Sequence, residues 1–403
     1  MHQQNKSDSE NRIVEEPHAS AVKAVVVDSL VGNDYSLCLC AGLNEVGQDI
    51  GLVTVENRES PFPVDYPLMK WAPQKQGGSK IGKLFQYFGY LWRLYRFAAR
   101  QKKDGHVLHF QFFRRERVES FYIAFLKMMG IRIVYTAHNI IPHEGTSVDR
   151  WLKALVYRSA HAIIVHSNYI KQALLEAFPM PADKIHVIPH GNFDHYLPKE
   201  PLSKTAARNR LGLTPQNKTL LFFGYIREYK GLDLLLDAFV IAAAKDPELR
   251  LVIAGAPHTD ALERSSNELI ERSGLADRVI FHAKFIPHED IELYFASSDL
   301  VVLPYKHIYH SGIIHLAYSY GRPSLATNVG DFSETIDQGK SGYILEENSP
   351  QALADMILKA VEDPEKLGEM GRYAKSLSSS KYSWTDIGRQ TRNVYERVAG
   401  MTV

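Results

Sequence analysis

Between Pro304 and Glu334 the chain reads PYKHIYHSGIIHLAYSYGRPSLATNVGDFSE, a stretch whose residue types suit the binding of an anion. Ser311 stands where a helix would begin, and amides exposed at a helix start, together with the helix dipole, favour negative charge. Gly312 lets backbone come close to a ligand, Gly321 closes the helix and Pro323 opens the next strand. No carboxylate occurs between Asp299 and Asp331, whereas Lys306, Arg322, His307, His310 and His315 fall inside that window. A phosphate is the ligand such a segment is built to receive. The histidines have no cysteine or carboxylate beside them in the loop, and zinc requires three or four converging ligands, so no metal site is expected.

A second cationic element lies upstream, where Gly224-Tyr225-Ile226-Arg227-Glu228-Tyr229-Lys230-Gly231 separates an apolar run from a helix opening at Leu232. Arg227 offers forked donors to phosphate oxygens and Lys230 adds a point charge near a helix N-terminus, which is the spacing of a diphosphate clamp. Solvated surface cations are the plain alternative. Gly255, closing Val252-Ile253-Ala254-Gly255, permits close packing beneath a base or ribose, or is an ordinary turn glycine.

These residues need a scaffold, and the apolar periodicity supplies one. Short β-branched runs at 24–27, 50–55, 107–110, 131–136, 162–165 and 186–188 alternate with helical stretches, which predicts a βαβ series. After His190-Gly191 the pattern breaks into PKEPLSKTAARNRLGLTPQN and restarts with strands at 220–223, 251–254, 279–281, 300–303 and 324–326. The expected architecture is therefore α/β, with two doubly wound parallel sheets. Such sheets bind ligands beyond the carboxyl ends of their strands, so two of them facing each other make a cleft.

Composition agrees with this scale. At 403 residues, with 45% hydrophobic and 11% aromatic content, the chain is long enough for two cores. A formal net charge of +1 argues against nucleic acid as a partner. Cys38 and Cys40 alone cannot build a disulfide scaffold, which favours a reducing compartment. Residues 1–20 are polar and read as a disordered tail without a signal peptide, and no run reaches the roughly 18 apolar residues of a membrane span, so a cytoplasmic location is expected. Residues 70–103 hold nine Lys and Arg, no acid, and many aromatics. They suit either a helix lying on an anionic membrane surface or one that packs its apolar side inward with the cations solvated.

Taken in order, several stretches resemble the retaining glycosyltransferases of family 4, the glycosyl transferases group 1. They are FFGYIREYKGLDLLLDAF (222–239), VIAG (252–255), FIPHEDIELYFASSDLVVLPY (285–305), SGIIHLAYSYGRPSLATNVG (311–330) and Tyr382-Ser383-Trp384. The first half contributes VYTAHNIIPHE (134–144), IIVHSNYIKQALLEAF (163–178) and KIHVIPHGN (184–192). The resemblance implies the GT-B fold: an acceptor-side Rossmann-like domain over 21–200, a nucleotide-sugar-binding one over 201–380, and a helix in 381–403 that crosses back to the first. It also implies transfer of a hexose from a nucleoside diphosphate sugar, GDP-mannose or a UDP-sugar, to a saccharide or lipid-linked acceptor, with retention and without metal or other cofactor. Surface-polysaccharide assembly at the inner face of the plasma membrane is the setting that fits.

By the same resemblance, Arg227 and Lys230 match the basic pair that neutralises the diphosphate, although the family's Arg directly follows the glycine, where this chain has Tyr225. His138 matches a histidine that reaches toward the transferred sugar, making His138, Arg227 and Lys230 the expected catalytic residues. Gly224, Gly255, His310, Ser311, Gly312, Ile313 and Glu334 fall on the donor side, and Gly32-Asn33-Asp34 lines the cleft near donor phosphate and acceptor. The family's paired glutamates would stand at Ile308 and Leu316, so both carboxylates are missing. Two other readings stay open: a catalytically silent sugar-nucleotide-binding partner, and a GT-B sugar-nucleotide epimerase.

Overall fold

The computed structural model describes residues 23–30, 34–56, 58, 60, 62–73, 80–102, 106–140 and 147–400. The first half runs β1 (Ala24–Val27), α1 (Tyr35–Glu45), β2 (Ile50–Val55), β3 (Leu68–Ala72), α2 (Lys80–Gln101), β4 (Val107–Phe110), α3 (Glu116–Met128), β5 (Arg132–Thr136), α4 (Ser147–Ser159), β6 (Ala162–Val165), α5 (Asn168–Ala177) and β7 (Ile185–Val187). The second continues with α6 (Lys204–Arg210), β8 (Lys218–Phe223), α7 (Leu232–Lys245), β9 (Leu249–Ala254), α8 (Asp260–Arg272), β10 (Val279–His282), α9 (Ile291–Ser297), β11 (Leu300–Leu303), α10 (Gly312–Ser319), β12 (Ser324–Thr327), α11 (Phe332–Thr335) and β13 (Gly342–Leu345). Three helices close the chain: α12 (Pro350–Glu362), α13 (Pro364–Ser379) and α14 (Trp384–Ala399).

All strand pairings are parallel, in the orders β3-β2-β1-β4-β5-β6-β7 and β10-β9-β8-β11-β12-β13. Each order reverses once, between β1 and β4 and between β8 and β11, which marks the ends of β1 and β8 as ligand-binding positions. The central strands read as unbroken apolar runs because helices cover both faces, leaving β1, β4, β6 and β11 buried throughout. Two apolar layers flank each sheet.

Two edge strands escaped the sequence reading. In β3 the run LMKWA carries exposed Lys70 and is only partly buried, so it lacks the apolar signature. β13 begins with Gly342, a residue depleted in strands, yet a Cβ there would stand 2.0 Å from Ser324 O, so only glycine lets the strand approach β12.

Backbone and ring hydrogen bonds at Asn192 help to join the halves. Asn192 N donates to Tyr382 O at 2.9 Å, and Trp384 Nε1 donates to Asn192 O at 2.8 Å. Beyond this point α14 lies along α1, where a Cβ on Gly388 would come within 2.4 Å of Gly42 O. In α2, Tyr87, Tyr90, Leu91 and Leu94 enter the first core while Phe85, Phe88 and Trp92 face solvent. Among the described residues no helix is long and apolar enough to cross a membrane.

Candidate functional site

The carboxyl end of β8 delivers Gly224, with φ 92°, into the loop that carries the two cations. That loop is pinned beneath the end of β11: Lys306 N donates to Tyr229 O at 2.7 Å, and a Cβ on Gly231, at φ 66°, would stand 1.9 Å from Pro304 O. Pinning forces Lys230 inward, to 7% exposure. Its Nζ lies 5.7 Å from the Tyr305 ring centroid and has no hydrogen bond or ion pair among the described residues. Burial, and then the Arg227 guanidinium, push the ammonium down to about 8. A buried cation without an anion is costly, which makes this pocket a receptor for negative charge.

The Ser-Gly turn meets the same place. A Cβ on Gly224 would lie 3.2 Å from both Lys230 Nζ and Ile313 Cδ1, so the loop after β8 and the first turn of α10 are in contact. Ser311 takes the capping position with extended backbone, but its hydroxyl donates to Tyr305 Oη at 3.4 Å and caps no helix amide. The leading amides of α10 are thus left for a ligand. Gly312 packs under Phe193, with 3.6 Å to a would-be Cβ. Arg227 is exposed on the rim of the same loop. Gly255 abuts the backbone of Gly224, where a Cβ would meet the carbonyl oxygen at 2.1 Å. Both glycines line an apolar pocket of about 120 Å³ with Phe223, Tyr225, Ala256, Phe285 and Ile286.

Opposite, at the end of β5, His138 stacks on Phe112 with ring centroids 4.0 Å apart. Its Nε2 donates to Gln111 Oε1 at 2.9 Å and its Nδ1 lies 3.0 Å from His166 Nε2. Burial, then His166 and the other neighbouring histidines, hold its value well below the imidazole range. His166 begins a further cluster at the junction of the halves, with His310 at 5.3 Å between ring centroids, and His190 at 5.0 Å from His310 and 5.2 Å from His315. His310 Nδ1 contacts Asp331 Oδ2 at 2.7 Å. A polar cavity of about 280 Å³ between the halves is lined by these histidines with Asn168, Asp331, Glu334 and Tyr382.

Other expected residues are placed differently. Glu334 reaches the first half, where its carboxylate accepts from Asn168 N at 2.9 Å and from Tyr169 N at the start of α5. Asp34 is held by Arg58, Nη2 to Oδ1 2.6 Å, while Gly32 and Asn33 lie outside the described residues. His307 leaves the other histidines and packs on Tyr229, ring centroids 5.6 Å apart. The positions of the missing glutamates are apolar in fact as well as in type, with Leu316 buried and Ile308 packed on the same core. Sequence reasoning passed over Gln111, His166, His190 and Asp331. His166 and His190 each follow a strand of the first sheet, a position that should have flagged them. A larger cavity, about 540 Å³ beside Lys218, Asp299 and Pro323, opens at the amino ends of the second sheet's strands, away from this site.

Comparison with known proteins yields a consistent set. Residues 203–377 match the family described as glycosyl transferases group 1, and residues 35–192 match glycosyltransferase family 4. The lipopolysaccharide core biosynthesis mannosyltransferase LpsB of Rhizobium meliloti (strain 1021) is 30% identical over 277 residues, covering 67% of this chain and 74% of that protein. A D-inositol 3-phosphate glycosyltransferase of Corynebacterium urealyticum is 25% identical over 289 residues, 68% of each chain. Among solved structures, Anabaena Alr3699/HepE in complex with UDP superposes with a TM-score of 0.72 at 18% identity, over 93% of this chain and 100% of that one.

Proposed function

The chain belongs to the glycosyl transferases group 1, family 4, and has the GT-B fold, and on that premise we propose that it moves a hexose from a nucleoside diphosphate sugar to a saccharide or lipid-linked acceptor with retention. The observation that carries this is the buried ammonium of Lys230, without an anionic partner among the described residues, beside the uncapped start of α10. As the glycosidic bond breaks, charge accumulates on the leaving diphosphate, and fixed cations and amides stabilise it where it develops. Lys230 and Arg227 supply the cations; Ser311, Gly312 and Ile313 supply the amides; Gly224 and Gly255 keep side chains out of the way. A leaving phosphate oxygen takes the acceptor hydroxyl's proton on the same face, so the transfer asks nothing of a metal.

The apolar pocket between Tyr225 and Phe285 is the place for the base, and His138, with Gln111 behind it, faces the transferred sugar. His310 and Glu334 bound the site toward the first half, and Asp34 lies on the acceptor side. Anabaena Alr3699/HepE has been solved with UDP-glucose and LpsB is a mannosyltransferase, which supports UDP-sugars and GDP-mannose as first donors to try. LpsB also supports a role in surface polysaccharide biosynthesis. Exposed Phe85, Phe88 and Trp92 among the cations of α2 support a peripheral, inner-face membrane location.

A donor panel tests the proposal. Nucleotide release that requires an acceptor supports transfer. The apolar packing of Ile308 and Leu316 favours a second reading, a silent binding partner, which predicts nucleotide binding without release under every acceptor tried. Free nucleotide formed by elimination would instead indicate epimerase chemistry.

A further inference from the structure

Three imidazoles converge where the two halves join, and they come from both. His190 follows β7, His310 precedes α10 and His315 lies within it, with one nitrogen of each inside 4.8 Å of the others. His190 Nδ1 lies 2.7 Å from Gly191 O and His310 Nδ1 lies 2.7 Å from Asp331 Oδ2, so each ring spends Nδ1 on an acceptor and keeps Nε2. Anchoring of one ring nitrogen by a carboxylate or carbonyl is the arrangement that orients a histidine for metal. His315 is 2% exposed, and neither of its nitrogens, nor the buried Nε2 of His310, has a partner among the described residues.

We propose that His190 Nε2, His310 Nε2 and a ring nitrogen of His315 bind a first-row transition ion, Zn2+ foremost, in a site that bridges the two halves of the chain. Around an ion at the usual bond length, tetrahedral nitrogens stand about 3.4 Å apart, so from separations within 4.8 Å the nitrogens need to close by at most about 1.4 Å. The adjoining cavity of about 280 Å³ gives room for a fourth ligand and reaches the surface at exposed Asn168 and Lys381. His166 does not compete, because its two nitrogens are engaged by Ile188 O and His138. Within the 307–315 window only His310 and His315 converge, and the third ligand, His190, comes from beyond β7.

The site sits beside the crossing at Asn192 and Tyr382, so a bound ion adds a further tie across the joint and fixes the Ser311-Gly312 turn relative to the first sheet. It adjoins the donor site, because His310 immediately precedes the Ser311-Gly312 turn, and its occupancy is readable without any transfer assay.

The test is titration of the metal-free full chain with Co2+, read by visible ligand-field absorption and by displacement with Zn2+. The expected result is one Co2+ per chain with the intense bands of a four-coordinate site. His190→Gln and His315→Gln should each weaken binding at least ~100-fold and Asp331→Asn about 10–100-fold, while His307→Gln leaves it unchanged. His190 is partly exposed, so its variant keeps the test valid if the buried His315 variant fails to fold. Zn2+ should raise the melting temperature of the parent and not of His190→Gln. Absence of the bands at stoichiometric Co2+, or bands undiminished in His190→Gln, overturns the proposal.

Discussion

Lys230 and Gly224 are in close contact: a Cβ on the glycine, whose φ of 92° already disfavours a side chain, would stand 3.2 Å from the lysine's Nζ and crowd the pocket that holds the ammonium. The same glycine abuts Ile313, which brings two loops distant in sequence to one point.

Removing either cation should therefore slow transfer. Lys230→Ala and Arg227→Ala are each expected to lower turnover of a radiolabelled donor at least ~10-fold, about 1.4 kcal/mol of lost transition-state stabilisation. Unchanged turnover in both variants, with folding intact, would remove them from the mechanism.

Donor affinity should fall as pH rises through about 8, the value to which burial and Arg227 push Lys230 from 10.5. Binding above that pH should take up a proton, visible as a dependence of the calorimetric heat on the buffer's ionisation enthalpy. The stability effect has the opposite sign: between about 8 and 10.5 the folded chain binds fewer protons than the unfolded one, so this group's contribution rises with pH. Affinity constant from pH 7 to 9.5 would contradict the assignment.

Glu334 joins the halves by accepting two backbone amides at the start of α5, where the helix dipole adds to the attraction. Glu334→Ala should speed hydrogen exchange at Asn168 and Tyr169 by about 10-fold, with little change in the strands of either sheet. Equal protection in both proteins would mean that the contact does not persist in solution.

Gly42→Ala would drive a Cβ to 2.0 Å from Trp384 O and should destabilise the first half by about 1–3 kcal/mol in a urea transition followed by tryptophan fluorescence. Gly89→Ala, in α2 with nothing within 4 Å of the new atom, should be neutral or stabilising. Similar midpoints for the two variants would refute the packing account.

The central strands were legible because burial on both faces writes itself as consecutive apolar residues, as in Val301-Val302-Leu303. β3 and β13 were not, since an edge strand needs less apolar surface and β13 opens on a glycine demanded by its neighbour's backbone. The phosphate pocket was readable for the complementary reason that Lys230 and Ser311-Gly312 lie in contiguous motifs, each with its own chemistry. His166 and His190 were hidden by sequence distance: they acquire meaning only when the second half brings His310 and His315 against them. That Glu334 also reaches the first half was hidden, because nothing local reveals that its partners are amides some 165 residues away.

The closing helix has a consequence for biosynthesis. Trp384, Ile387, Val394 and Tyr395 belong to the same apolar layer as Ala24, Val26 and Leu52. α1 covers that face of the first sheet only in part, and the rest of its cover comes from residues 384–399, so the first half cannot complete its core until the second has been translated. A stop codon shortly before Trp384 would injure the part of the molecule made earliest.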